Sequence, residues 1–111
     1  MRCGVEQTWQ SETAVSDGTA VVALFGELDI AAASPLGDVL QAAIDRAPRV
    51  QVDLERVSFI DSTVLNTFVN AHGRATDTGA SLALVNPTGH VRRVLSITGI
   101  LQLLAEPDSD D

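Results

Sequence analysis

The sequence predicts a single α/β domain in which helices pack on a mixed β-sheet of four to five strands. A length of 111 residues suits one domain, because domains usually have about 100–150 residues. Two β-rich segments joined by a turn open the chain, and helical and strand-like segments then alternate. This alternation is typical of parallel strands connected by helices, and such connections are right-handed.

The first two strands are predicted to form an antiparallel hairpin. Residues 6–14 mix polar and apolar side chains, with Trp9 and Val15 as the apolar anchors. A turn signal that contains a glycine follows at residues 16–18 and favours a tight turn between paired strands. Residues 19–25 form a nearly continuous run of β-forming side chains, and we expect this second strand to end at Gly26.

The first helix is predicted to begin at Ser34 and Pro35. A serine at the N-cap satisfies a free amide, and a proline suits the first helical position. Pro48 then closes the element. One apolar stripe with helical spacing is expected to face the core, and it consists of Leu36, Val39, Leu40, Ala43 and Ile44.

A third strand and a second helix follow. Residues 49–54 alternate as a strand and lead to Val57, Phe59 and Ile60. The second helix is predicted to start at Asp61 and Ser62, with Ser62 as its N-cap, and to run to about Asp77 before Gly79 stops it. Its expected buried stripe is Leu65, Phe68, Val69, His72 and Ala75. Its expected polar face is Thr63, Asn66, Thr67, Asn70 and Arg74.

The last elements are a strand at residues 81–85 and a helix that turns Val91, Val94 and Leu95 inward. Gly99 is a natural C-terminal cap, with Ile100 placed for the accompanying apolar contact. Residues 100–105 fit either a short strand or a turn of helix. Residues 106–111 carry four acids, and we expect this C-terminal tail to be disordered.

Composition excludes several classes of partner. All seven positive residues are arginines, and fifteen acids give a net charge of −8. Nucleic acid and anionic membrane surfaces both attract basic proteins, so neither is an expected partner. The one cysteine, Cys3, has no internal partner, which suits a reducing compartment. No signal peptide or membrane-length apolar run is present, and we expect a cytoplasmic protein.

No catalytic, metal or cofactor site is predicted. The chain has no G-x-S-x-G elbow and no glycine-rich phosphate loop. His72 is expected in the core and His90 on the surface, and neither has ligands at metal-binding spacing.

Two segments are expected to meet where neighbouring strands end, at residues 26–29 and 61–64. Ser62 is the residue of interest there. As an N-cap it is explained by structure alone, because its oxygen satisfies a free amide of the helix. The alternative is a phosphoacceptor, since helix amides and the helix dipole tolerate a phosphate at this position. The residues alone leave both interpretations open.

Three groups of residues, in this order, resemble the STAS domains, and among them the bacterial anti-sigma factor antagonists (anti-anti-sigma factors). Residues 26–29 (GELD) resemble the stretch that follows the family's second strand. Residues 52–54, followed by Val57 and residues 59–62, resemble its third strand and phosphorylation loop. Residues 84–87, 91–95 and 98–100 resemble its last strand and helix. The resemblance runs from about residue 21 to residue 104, and we expect the STAS domain to span residues 5–105.

The resemblance implies a non-enzymatic binding module. In its unphosphorylated form such a protein binds an anti-sigma factor, often one with a kinase-type ATP-binding domain, and so releases a sigma factor for transcription. The kinase phosphorylates the serine that follows an aspartate at the helix start, here Ser62 after Asp61, and a serine phosphatase reverses the reaction. Asp29 corresponds to an acidic residue on the same surface.

The predicted docking surface joins these residues to the polar face of the second helix. Compact polar side chains can hydrogen-bond to a partner without the ordering cost of long chains. The docking surface is Asp29, Asp61, Ser62, Thr63, Asn66, Thr67 and Asn70.

One position departs from the family pattern, because Val64 stands where the family commonly has glycine or alanine. A β-branched side chain there either narrows the access of a kinase or packs inward. The alternative function is a STAS subunit of another system, either a lipid-transport complex or a module for a small ligand or nucleotide, without a phosphorylation cycle.

Overall fold

The computed structural model describes residues 9–104 and confirms the predicted α/β fold. Cys3, the tail at residues 106–111 and both predicted domain boundaries lie outside the described residues. The strands are β1 (Trp9–Ser16), β2 (Thr19–Leu28), β3 (Arg49–Ile60) and β4 (Ser81–Val85). The helices are α1 (Ala33–Arg46), α2 (Ser62–Asp77), α3 (Gly89–Thr98) and α4 (Ile100–Leu104), and a 3₁₀ turn at Ile30–Ala32 precedes α1.

The four strands form one mixed sheet in the order β1-β2-β3-β4. Strands β1 and β2 are antiparallel, as the predicted hairpin requires, and β2, β3 and β4 are parallel. Asp17 and Gly18 make the hairpin turn with φ angles of 53° and 78°, which fits a type I′ turn. Parallel strands end at the same edge of a sheet, so the segments that follow β2 and β3 are neighbours.

Strand β2 continues two residues past Gly26, where the sequence predicts its end. Gly26 has a φ of 95°, and the register with β3 shifts after it. This shift is a bulge in β3, where Ser58 is the extra residue between the partners of Gly26 and Glu27, so Gly26 lies beside a bulge and does not end its strand. Pairing resumes beyond the bulge, and Leu28 lies opposite Ile60 at the last position of both strands.

Helix α1 begins at Ala33, and Ser34 is not its N-cap. The residue before the helix, Ala32, already has helical dihedral angles and no side-chain cap. Helical structure starts earlier because the side chain of Asp29 accepts a hydrogen bond of 3.1 Å from the amide of Ala31. Asp29 therefore caps the 3₁₀ turn, and that turn runs directly into α1.

One hydrophobic core lies between the sheet and the helices. In β2 the inward side chains of Ala20, Val22 and Leu24 are 0–1% exposed, and the residues between them are half-buried. The predicted stripe of α1 is buried except for Val39, which is half-buried.

Helix α2 buries a stripe that is rotated from the predicted one. Val69 and His72 are half-buried and lie at the rim of the core. The His72 Nδ1 atom is 3.3 Å from the carbonyl oxygen of Leu82 in β4, so the ring has a polar partner at this rim. The buried residues of α2 are Val64, Leu65, Phe68, Ala71 and Ala75.

The C-terminal helices close the core. Val91 and Leu95 are buried as predicted, and Val94 is half-buried. Gly99 has a φ of 82° and is the left-handed C-cap of α3, as expected. Residues 100–104 form the short helix α4, one of the two forms that the sequence allows. Among residues 9–104, no helix has the length and apolar character needed to cross a bilayer.

Candidate functional site

The site begins where β2 and β3 end side by side. The amide of Asp61 donates a hydrogen bond of 2.9 Å to the carbonyl oxygen of Leu28. Neighbouring strands are about 4.8 Å apart. Asp29 and Asp61, which directly follow the paired residues Leu28 and Ile60, therefore lie next to each other. The two segments predicted to meet, residues 26–29 and 61–64, do meet at this edge of the sheet.

Asp29 and Asp61 have the same local backbone conformation and make the same type of side-chain hydrogen bond. Each is extended, and each accepts a hydrogen bond from the amide two residues later, at Ala31 (3.1 Å) and Thr63 (2.7 Å). Asp61 is therefore the N-cap of α2, and the prediction that Ser62 is the N-cap is wrong. With the cap one position earlier in the chain, the Asp61 side chain takes the amide of Thr63, whereas a Ser62 cap would have taken that of Val64 or Leu65.

Ser62 is the first residue of α2 and is exposed to solvent. Within the part of the chain that the structure describes, no hydrogen bond holds its hydroxyl. Capping no longer explains a serine at this position. Of the two interpretations that the sequence left open, capping by Ser62 is wrong, and the phosphoacceptor stays a prediction.

The first-turn amides beside Ser62 are already in use. Asp61 accepts the amide of Thr63 with its side chain, and its carbonyl oxygen accepts those of Val64 (3.0 Å) and Leu65 (3.1 Å). The dipole of α2 still favours negative charge at this end. These three amides, however, are not free to bind an added anion directly.

Val64 does not obstruct the Ser62 hydroxyl. Val64 is 0% exposed, so its side chain packs into the core, which is one of the two outcomes that the sequence allows. Thr63 is half-buried, and its carbonyl oxygen accepts a hydrogen bond of 3.2 Å from the Thr67 hydroxyl. Ser62 is therefore the better exposed of the two neighbouring hydroxyl groups.

The matching family model is described as "Mlab, STAS domain", and it covers residues 11–105. A relative in Staphylococcus aureus, an anti-sigma-B factor antagonist, is 31% identical over 94 residues, which cover 84% of this chain and 87% of the relative. The chain belongs to the STAS domain family, among the anti-sigma factor antagonists.

Solved structures agree with this assignment. An anti-sigma factor antagonist from Mycobacterium paratuberculosis superposes on this STAS domain with a TM-score of 0.79 and 25% identity, covering 93% of this chain and 89% of the other. The Bacillus cell fate determinant SpoIIAA in its phosphorylated form gives a TM-score of 0.67 and 26% identity, covering 92% of both chains.

The other residues of the predicted docking surface divide along α2. Asn66 is exposed one turn beyond Ser62. Thr67 instead faces α1, because its hydroxyl lies 3.5 Å from the carbonyl oxygen of Ala33. A groove of about 450 Å³ runs between the two helices, and it is lined by Ala33, Ser34, Gly37, Asp38, Gln41, Thr67, Asn70 and Arg74.

Two exposed apolar residues that sequence reasoning missed lie at the same edge of the STAS domain. Ile30 directly follows Asp29 and is 67% exposed, and Phe59 is 40% exposed. The Phe59 ring stacks on His90, with 5.7 Å between ring centroids and 4° between planes. The available signal was alternation, since Phe59 precedes an inward residue of β3 and so points away from the core.

Residues 9–104 contain no group of three or more His, Cys, Asp or Glu side chains that could hold a metal ion. His90, predicted to be on the surface, is exposed and has an aromatic ring as its neighbour.

Proposed function

We propose that this STAS domain is a non-enzymatic anti-sigma factor antagonist switched by phosphorylation of Ser62. The unmodified form binds an anti-sigma factor that has a kinase-type ATP-binding domain, and a sigma factor is released. The kinase then phosphorylates Ser62 and ends the interaction, and a serine phosphatase restores it.

The observation that carries this proposal is the Ser62 hydroxyl. It is exposed on the first residue of α2, beside two aspartates and without a hydrogen-bond partner among residues 9–104. The names of the relatives support the same conclusion, since the protein from Staphylococcus aureus is an anti-sigma-B factor antagonist and SpoIIAA exists in a phosphorylated form.

Phosphorylation would act through charge. A phosphate on Ser62 adds a charge of about −1.5 to −2 at pH 7. Its nearest acids are Asp61 and Asp29, and the amides of residues 63–65 are already bonded to Asp61. A partner built for the neutral hydroxyl would have to desolvate this dianion without an opposite charge, which costs several kcal/mol. Each 1.4 kcal/mol lowers affinity about tenfold, so binding would fall by orders of magnitude.

The fold would survive the modification. Anions are tolerated at a helix N-terminus because the dipole favours them. Ser62 contributes neither the cap of α2 nor a buried atom. The switch therefore needs no refolding, and the phosphate blocks the docking surface sterically and electrostatically.

Affinity capture from a lysate of the native host tests the proposal. Wild-type, Ser62→Ala and Ser62→Asp baits are compared, and the captured anti-sigma factor is then purified for binding measurements. We expect wild type and Ser62→Ala to bind and Ser62→Asp to bind at least a hundredfold more weakly. Equal binding by Ser62→Asp would contradict the switch.

Ser81→Asp is the matched control. Ser81 is an exposed serine at the start of β4, and the start of a parallel strand lies at the opposite edge of the sheet from Ser62. The same change of charge there should leave affinity unchanged. Incubation with the captured kinase and ATP, followed by mass spectrometry, should place one phosphate on Ser62 and none on Ser62→Ala.

A STAS domain of another system, without a phosphorylation cycle, is the second candidate. It is favoured by the description of the matching family model, which names Mlab. In that case protein purified from its native host carries no phosphate at Ser62, and Ser62→Asp captures the same partner as wild type.

A further inference from the structure

We propose that Ile30 and Phe59, here called the apolar pair, are the anchors by which the STAS domain docks into an apolar pocket on its anti-sigma factor. The inference rests on the proposed function and adds the chemistry of the contact. Neither residue belongs to the polar docking surface predicted from the sequence.

The apolar pair lies beside Ser62. Phe59 precedes Ser62 by three residues, a span of at most about 10 Å along the chain. Ile30 follows Asp29 at the end of the neighbouring strand, and the amide of Asp61 bonds to Leu28 in that strand. The apolar pair and Ser62 therefore lie at the same end of β2 and β3, where one partner surface can contact all three.

Folding does not account for Ile30, which is 67% exposed, so a polar residue there would lose little burial. Phe59 is partly buried but still presents a ring that is 40% exposed to solvent. Contacts that carry binding energy are typically large apolar or aromatic side chains that fill pockets on the partner. The apolar pair supplies two such groups at one edge of the sheet.

Phe59 is also held in place before docking. Its ring stacks nearly parallel on His90 of α3 at 5.7 Å. A side chain that is already ordered loses less entropy on binding, which raises affinity without a new contact. His90 is therefore a positioning residue that acts through Phe59.

An apolar pocket also explains the direction of the switch. A phosphate on Ser62 would lie beside these apolar contacts and would lose part of its hydration when the partner docks, which opposes binding. The partner that the apolar pair anchors is thus the partner that a phosphate on Ser62 excludes.

Matched isoleucines give the test. Ile97 on α3 is 77% exposed, so Ile30→Ala and Ile97→Ala remove the same atoms from similarly exposed positions. With the anti-sigma factor captured by the wild-type bait, we expect Ile30→Ala and Phe59→Ala each to weaken binding at least tenfold. Ile97→Ala should change it less than twofold. Equal effects of the two isoleucine changes would overturn the inference.

His90 is tested by loss and rescue. His90→Ala removes the ring under Phe59 and should weaken binding three- to tenfold, whereas His90→Tyr keeps a ring to stack on and should restore it. If His90→Ala binds as wild type does, the positioning role is wrong. Circular dichroism of each variant should match wild type, because all four positions are exposed.

The controls separate this inference from the proposed function. If Ser62→Asp abolishes binding and the apolar variants bind normally, the switch stands and the apolar pair is not the anchor. If Ser62→Asp also binds normally, the proposed function fails. The other possible occupant of the apolar pair is a second copy of this chain, and sedimentation of the wild-type protein alone tests it. A wild-type dimer that Ile30→Ala dissociates would assign the apolar pair to the dimer contact and overturn the inference.

Discussion

A carboxylate oxygen of Asp61 lies 2.7 Å from the amide nitrogen of Thr63, and this contact caps α2. It decides the role of the residue between them. Because Asp61 performs the capping, the hydroxyl of Ser62 is free to face solvent at the start of the helix.

Replacement of the cap should therefore cost stability at Asp61 and not at Ser62. Asp61→Ala should lower the free energy of unfolding by about 0.5–2 kcal/mol, because an amide of the first turn loses its acceptor. Asp61→Asn keeps an acceptor and should lose less. Ser62→Ala should stay within about 0.5 kcal/mol of wild type, as for other surface positions. Urea denaturation measures the free energy of unfolding of all three variants. A larger loss in Ser62→Ala than in Asp61→Ala would indicate that Ser62 is the N-cap.

The buried valine at position 64 should matter for stability and not for access to Ser62. Val64→Gly should lower the free energy of unfolding by about 2.5–4 kcal/mol, since burial of a valine contributes about 1.5–3 kcal/mol and a helical glycine costs about 1 kcal/mol. The phosphorylation rate of the folded variant should match that of wild type. A faster reaction in Val64→Gly would indicate that the side chain does hinder the kinase.

Two phenylalanines separate the core from the surface. Phe68 is fully buried in α2, and Phe68→Ala should lower the free energy of unfolding by about 3–5 kcal/mol. Phe59 is 40% exposed, and Phe59→Ala should cost about 1 kcal/mol. Thermal and chemical denaturation should rank them in this order. A larger cost at Phe59 would mean that its stacking on His90 supports the fold itself.

Two glycines with open surroundings should respond oppositely to alanine. An added Cβ meets nothing within 4 Å at Gly73 or at Gly99, so the backbone alone decides. Gly73 lies inside α2, where alanine should stabilise by about 0.5–1 kcal/mol. Gly99 has a φ of 82°, where alanine should destabilise by about 1–2 kcal/mol. Stabilisation by Gly99→Ala would contradict the left-handed cap of α3.

Much of the fold was predictable because it depends on local patterns. The hairpin followed from a turn signal between β-rich runs, and the turn residues Asp17 and Gly18 do have the positive φ angles that such a turn requires. The stripe of α1 followed from the helical spacing of its apolar residues. The prediction at Gly26 was wrong because a glycine in a sequence is equally compatible with the end of a strand and with a bulge. Only pairing with β3 distinguishes the two.

The helix starts were harder for a different reason. Around both helix starts an aspartate and a serine stand within a few residues, and either side chain can accept a first-turn amide. The extended backbone at Asp29 and Asp61 decides the outcome, and it depends on how far β2 and β3 run. The apolar pair was missed because exposure of Ile30 and Phe59 depends on which residues surround them in three dimensions.

If Ser62 is phosphorylated as proposed, the occupied amides at the start of α2 have a consequence for how long the phosphate persists. Since Asp61 holds the amides of residues 63–65, a phosphate on Ser62 would gain few contacts of its own with the protein. A phosphate that the protein does not bind can be hydrolysed without a prior conformational change. The time that each molecule spends phosphorylated would then be determined by the abundance of the phosphatase. Each molecule could bind its partner again as soon as the phosphate is removed.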